Sequence, residues 1–239
     1  MVGKSPLNRW SMLLWLLFLL GSFDPLLSAE PMDPLANQIE TDWSKTYFSN
    51  LSKQQKKISY EQLLKKLDVQ LNQAPNNASL WLWKGILTAN YAEHVGPLDA
   101  LSKVKEAKGY FEKSKSIDPK VYYGSASINL GILYTEVPGG LISFGDLDKA
   151  EEMFLAAKKV DPNSIDLNFY YGKLLEKKEN YSGAKKFYLK ALQQKPRAHQ
   201  TFADKNLKEV VKRQLESLRG KTNGAEAFSE SLESSEGQQ

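Results

Sequence analysis

The chain has 239 residues, no cysteine, 41% hydrophobic and 25% charged residues, and a formal net charge of +4 from 32 basic and 28 acidic side chains. This is the profile of a globular protein, and it excludes collagen-like, fibrous and disulfide-stapled architectures. With no thiol and only two histidines, His94 and His199, far apart in sequence, neither a cysteine nucleophile nor a zinc ligand set can be built. The small basic surplus gives no ground for nucleic-acid binding.

Lys4 and Arg9 precede an apolar run from Trp10 to Phe23, which is shorter than the roughly 20 residues needed to span a bilayer as a helix. A charged start, a short apolar centre and the small residues Ser28-Ala29 predict a signal peptide over 1–29, cleaved after Ala29. The other outcome is an uncleaved inner-membrane anchor, and only then would the chain contact a membrane. No cysteine follows the run for lipid attachment and none is present for disulfides, so the expected location is a bacterial periplasm. Residues 30–56 are expected to form a flexible lead and a degenerate start. Leu63, Leu64, Leu67 and Leu71, at helical spacing before Pro75, predict an N-terminal capping helix over 57–77.

The central part repeats. Pro162 and Pro196 stand 34 residues apart and enclose Gly172, Ala184, Tyr188 and Ala191. The same register gives Ala150, Phe154 and Ala157 before Pro162, and Ala107, Phe111 and Ser114 before Pro119. Each of these second helices has a first helix: one with Trp81 and Gly85, one with Leu130, Gly131 and Tyr134, one with Tyr171, Gly172 and Leu175. Three helix pairs follow, over 78–120, 121–163 and 164–197. Glycine inside a helix costs about 1 kcal/mol against alanine, so its recurrence implies close helix approach. Proline after each second helix ends it. Trp81, Phe111, Phe154 and Tyr188 are expected in the core, the aromatic rings filling the space to the next pair. Leu207, Val211, Leu215 and Leu218 form one stripe and predict a C-terminal capping helix over 198–219. The Ser-, Glu- and Gly-rich segment 220–239 is expected to be a disordered tail.

These spacings resemble the tetratricopeptide repeat (TPR) family. The resemblance implies an all-α fold, a right-handed superhelical solenoid of antiparallel helix pairs over 78–197 with capping helices at both ends. The chain departs from the family in its inter-helix distances. From Gly172 to Ala184 is the regular 12, but Gly131 to Ala150 is 19 and Gly85 to Ala107 is 22. Loops are therefore inserted, one containing His94-Val95-Gly96-Pro97, the other running from Val137 to Asp146. Per-repeat insertions emerge on one face of a solenoid. The Val-Pro-Gly and Phe-Gly-Asp of the second loop, with the helix after it, resemble more narrowly exported bacterial TPR proteins similar to the T component of tripartite (TRAP) uptake systems.

There is no nucleophile motif, no phosphate-cradling loop and no paired histidine on a helix. The chain is therefore read as no enzyme, with no cofactor and no metal. In the TPR family the exposed stripe of each first helix lines the concave wall. Transferred to this chain, the partner-binding stripe is Leu82, Trp83, Ile86 and Asn90, then Ile128, Asn129, Ile132 and Glu136, then Phe169 and Lys173. Trp83 stands between core and groove. Leu82 and Ile86 occupy places where carboxylate-clamping members use Lys and Asn. An apolar wall suits an amphipathic helix, an extended hydrophobic segment or a lipid-like ligand. In the second loop, Val137, Pro138, Gly139, Phe144, Gly145 and Asp146 either join the binding surface or brace the helices, with Phe144 filling a gap and Asp146 capping the next helix. The expected function is a non-catalytic, exported interaction module that binds a protein partner of the cell envelope through its groove and loops. The alternative is an accessory or carrier subunit that binds a small apolar ligand for a TRAP-type uptake system.

Overall fold

The computed structural model describes residues 34–140 and 143–236, with side chains through Lys221. The signal-peptide reading of 1–29 lies outside them, as do Leu141 and Ile142 of the second loop. The elements are α1 (Pro34–Tyr47), α2 (Lys53–Gln73), α3 (Ala78–Ala92), α4 (Pro97–Ile117), α5 (Val121–Glu136), α6 (Leu147–Val160), α7 (Ile165–Lys177), α8 (Tyr181–Gln193), a short 3-10 turn (Ala198–Gln200) and α9 (Thr201–Glu236). The fold is all-α, as the sequence predicts. α3 with α4, α5 with α6 and α7 with α8 form the three hairpins, and each second helix also packs on the first helix of the next pair.

Local signals set the boundaries. Asn77, Asp146, Ser164 and Asn180 cap α3, α6, α7 and α8 through side-chain oxygens that accept backbone N–H groups. Ser52 and Gln55 form a reciprocal capping box at the start of α2. Such caps contribute about 1 kcal/mol each.

The three hairpins share one contact. A Cβ placed on Gly85 would stand 2.5 Å from Phe111, on Gly131 2.8 Å from Phe154, and on Gly172 2.5 Å from Tyr188. The buried ring of each second helix thus lies on the glycine of its own first helix. Filling the space to the next pair is the lesser role, seen where Phe154 stacks on Tyr171 with centroids 5.8 Å apart.

Three expectations need correction. Trp81 is only half buried. Its indole N–H donates to the Pro75 carbonyl at 2.8 Å and its ring lies beside Tyr110, while Trp83 is the buried indole, 2% exposed. The lead expected over 30–56 contains α1, whose proline suits the first helical turn and whose Ala36 and Ile39 join the α2–α3 cluster. The helix expected to end at 219 continues to Glu236, for no proline follows Pro196 to stop it.

α5 opens irregularly. Tyr122, Tyr123 and Gly124 have φ of 44°, 59° and 83°, a left-handed turn before the regular helix. It sets Tyr122 edge-on to Trp83 and Tyr123 flat on His199, with centroids 6.3 Å apart in each case.

Candidate functional site: the concave groove

The first helix of each hairpin faces a common concavity of about 910 Å³. All ten stripe residues line it: Leu82, Trp83, Ile86 and Asn90 from α3, Ile128, Asn129, Ile132 and Glu136 from α5, and Phe169 and Lys173 from α7. Leu82, Ile128 and Phe169 belong to the hydrophobic core as well as the wall. Leu82 is 1% exposed, so a substitution there perturbs packing before it perturbs binding. Ile86, Asn90, Asn129, Ile132 and Lys173 are half buried and Glu136 is exposed, which makes these six the accessible part of the stripe.

The second loop divides. Val137 and Pro138 reach the groove, whereas Gly139, Phe144, Gly145 and Asp146 do not line it. Gly145 donates its N–H to the Pro138 carbonyl at 3.0 Å, and Asp146 donates its N–H to the Tyr134 carbonyl at 2.9 Å. Any Cβ on Gly145 would collide with the Val137 carbonyl, so the return of the chain requires glycine there. Phe144 meets Tyr134 edge to face at 5.8 Å, and the Asp146 carboxylate accepts the N–H groups of Asp148 and Lys149. Phe144, Gly145 and Asp146 thus link the end of α5 to the start of α6.

Two parts of the site were not anticipated from the sequence. The first comes from α1, which contributes Trp43 and Tyr47, with Phe48 just beyond it. Trp43 donates its indole N–H to the Asn90 side-chain carbonyl at 2.6 Å, and its ring packs on Trp83 at 5.5 Å. Phe48 meets Phe202 of α9 edge to face at 6.2 Å. Ile39, Trp43 and Tyr47 recur every four residues, a helical signal that was present inside the supposed lead.

The second unanticipated part is an ionic cluster at the C-terminal side. Arg197 bonds Asp166 at 2.7 Å and Asp204 at 2.6 Å, and its backbone N–H also donates to Asp204. Burial works against the Arg197 charge, but the two carboxylates outweigh it and hold the guanidinium above its ordinary range. Glu40 of α1 is buried beside this cluster, 3% exposed. Loss of hydration pushes its carboxyl up to about 7, against the pull of Arg197 and with the push of Asp204 and Asp166. Lys173 pairs with Glu136 at 2.8 Å. The two cations that line the groove are thus already neutralised.

The histidines lie apart, His94 stacked on Tyr60 and His199 on Tyr123. No helix among the described residues is long and apolar enough to cross a membrane. What the groove offers is apolar contact, aromatic faces and a few hydrogen-bonding groups.

Residues 165–197 match the family model described as Tetratricopeptide repeat. No curated protein matches the chain. Among solved structures, a thermophilic TPR protein in Thermus thermophilus aligns with a TM-score of 0.57 at 15% identity, covering 87% of this chain and 95% of that one. The yeast Tom70 aligns with a TM-score of 0.45, also at 15% identity, covering 79% of this chain and 38% of that one. The α7–α8 hairpin is therefore a tetratricopeptide repeat by sequence, and the chain around it has the helical-hairpin solenoid fold of such proteins.

Proposed function

We propose that this chain is a non-catalytic interaction module that holds a segment of a partner protein in its concave groove. The observation that supports this reading is convergence: stripe residues from three separate hairpins meet in one concavity whose walls are mostly apolar. The test is Ile86→Glu combined with Ile132→Glu, two half-buried wall positions. Partner capture is expected to vanish with circular dichroism unchanged, and undiminished capture by the folded double variant would remove the groove from the mechanism. The proposed setting is the bacterial cell envelope, reached by export. The charged and apolar pattern of residues 1–29 supports it, and a mature mass lacking those residues would verify it.

A second reading is a carrier or accessory subunit for a small apolar ligand, as the resemblance to the T component implies. Two observations favour it. The concavity lies in the size range of small-molecule sites, about 300–1,000 Å³, and the buried Trp83 indole N–H that borders it has no hydrogen-bond partner. An apolar molecule with one oxygen acceptor would satisfy that donor after a shift of the side chains that cover it. Native mass spectrometry of the purified protein discriminates the readings, since a retained small molecule supports the carrier and a stoichiometric polypeptide supports the module.

A further inference from the structure

We infer that α1 is a built-in occupant of one part of the groove, over Trp83 and Asn90, and that the partner displacing it is a short amphipathic helix that presents an indole there. The inference rests on the groove reading above and names the chemistry of the partner.

α1 makes the contacts that a bound helix would make. Its Trp43 uses two residues of the binding stripe, Asn90 as hydrogen-bond acceptor and Trp83 as aromatic face. Tyr47 follows one turn later and stacks on Trp43 at 5.4 Å. A competing helix therefore recovers the lost contacts only if it brings an N–H donor on a flat ring to Asn90 and Trp83.

The attachment can be broken without unfolding a hairpin, at the loss of the bond by which Lys56 of α2 holds the Tyr47 carbonyl at 2.8 Å. α2 does not depend on α1 for its start, because the Ser52–Gln55 capping box satisfies that end from within. The connection from Phe48 to Ser52 lies between the two helices, so α1 can leave without breaking a hairpin. Docking also carries a penalty, since it buries the Glu40 carboxyl beside Asp166 and Asp204. Ala36 and Ile39 pack into the α2–α3 cluster and oppose release. The partner must offset that apolar area, and a neutral residue in place of Glu40 gives it an advantage over α1 itself.

The test uses the full chain and a fluorescent peptide of residues 34–48. In anisotropy titrations the peptide is expected to bind the Trp43→Ala chain at least about tenfold more tightly than the wild type, whose own α1 already covers Trp83 and Asn90. The same peptide carrying Trp43→Ala is expected to lose binding. Equal affinity for both chains would overturn α1 as the competitor, while loss of binding in the Ile86→Glu, Ile132→Glu chain would still support the groove. Absence of binding to a folded Trp43→Ala chain would overturn the groove reading along with this inference. Hydrogen exchange of the wild type provides a readout independent of any variant's folding. Amides of α1 are expected to exchange at least about tenfold faster than those of α3, and equal protection would overturn the inference.

Discussion

At the scale of single residues, the hairpins depend on a ring lying where a methyl group cannot. Gly131→Ala would set its methyl 2.8 Å from the Phe154 ring, and overpacking of this kind costs about 1–3 kcal/mol. Urea denaturation is expected to register that loss, and the cost should shrink in a Phe154→Leu background, because a smaller, flexible side chain can yield. Arg197 carries a different dependence. Arg197→Met leaves Asp204 buried without its cation, a change expected to cost about 3–5 kcal/mol, whereas replacing both residues by apolar ones should cost much less. The glycine–aromatic pairs were legible because three registers repeat them. Trp81 and Trp83 were not separable, because Leu80, Trp81, Leu82 and Trp83 form a continuous apolar run and no polar residue among them marks the outer face.

At the scale of elements, α1 is the part whose docking is expected to respond to pH. The Glu40 carboxyl is raised to about 7 when α1 is docked and returns to its ordinary value of about 4.5 when α1 is free. A raised carboxyl favours docking in its protonated form. The contribution is thus complete below the free value and is lost as pH rises through about 7. Exchange of α1 amides, corrected for intrinsic rates, is expected to accelerate between about pH 4.5 and pH 7 and to level off above that, and Glu40→Gln should abolish the dependence. α1 escaped the sequence because its docking contacts lie far along the chain, Asn90 on α3 and Phe202 on α9. The second loop was more legible, since a carboxylate cap and a Gly-bounded aromatic are local signals and Asp146 and Phe144 fill those roles.

At the scale of the whole molecule, the solenoid followed from a period, and the groove followed from the stripe that such a period exposes. The transfer placed all ten residues on one wall, but it could not say which of them the core also claims. Leu82→Glu is therefore expected to lower helical content and melting temperature, because it buries a charge among Phe111, Leu130 and their neighbours. Ile132→Glu, at a half-buried position, should leave both unchanged. Circular dichroism on the two variants separates a folding residue from a wall residue.

The contact of Phe48 with Phe202 and the placement of Glu40 beside Arg197 and Asp204 join the first helix to the last. An open repeat array frays, since each terminal unit has only one neighbour and can melt alone. Contacts between the ends oppose that route, so the hairpins should melt in one sharp transition even though α1 is released ahead of them. Phe202→Ala, at a site already about half exposed, is expected to broaden the melt and lower the denaturant m-value by admitting partly unfolded forms. Any helix that takes the place of α1 would then leave the array with two independent ends, and binding would be registered as a loss of cooperativity throughout the solenoid.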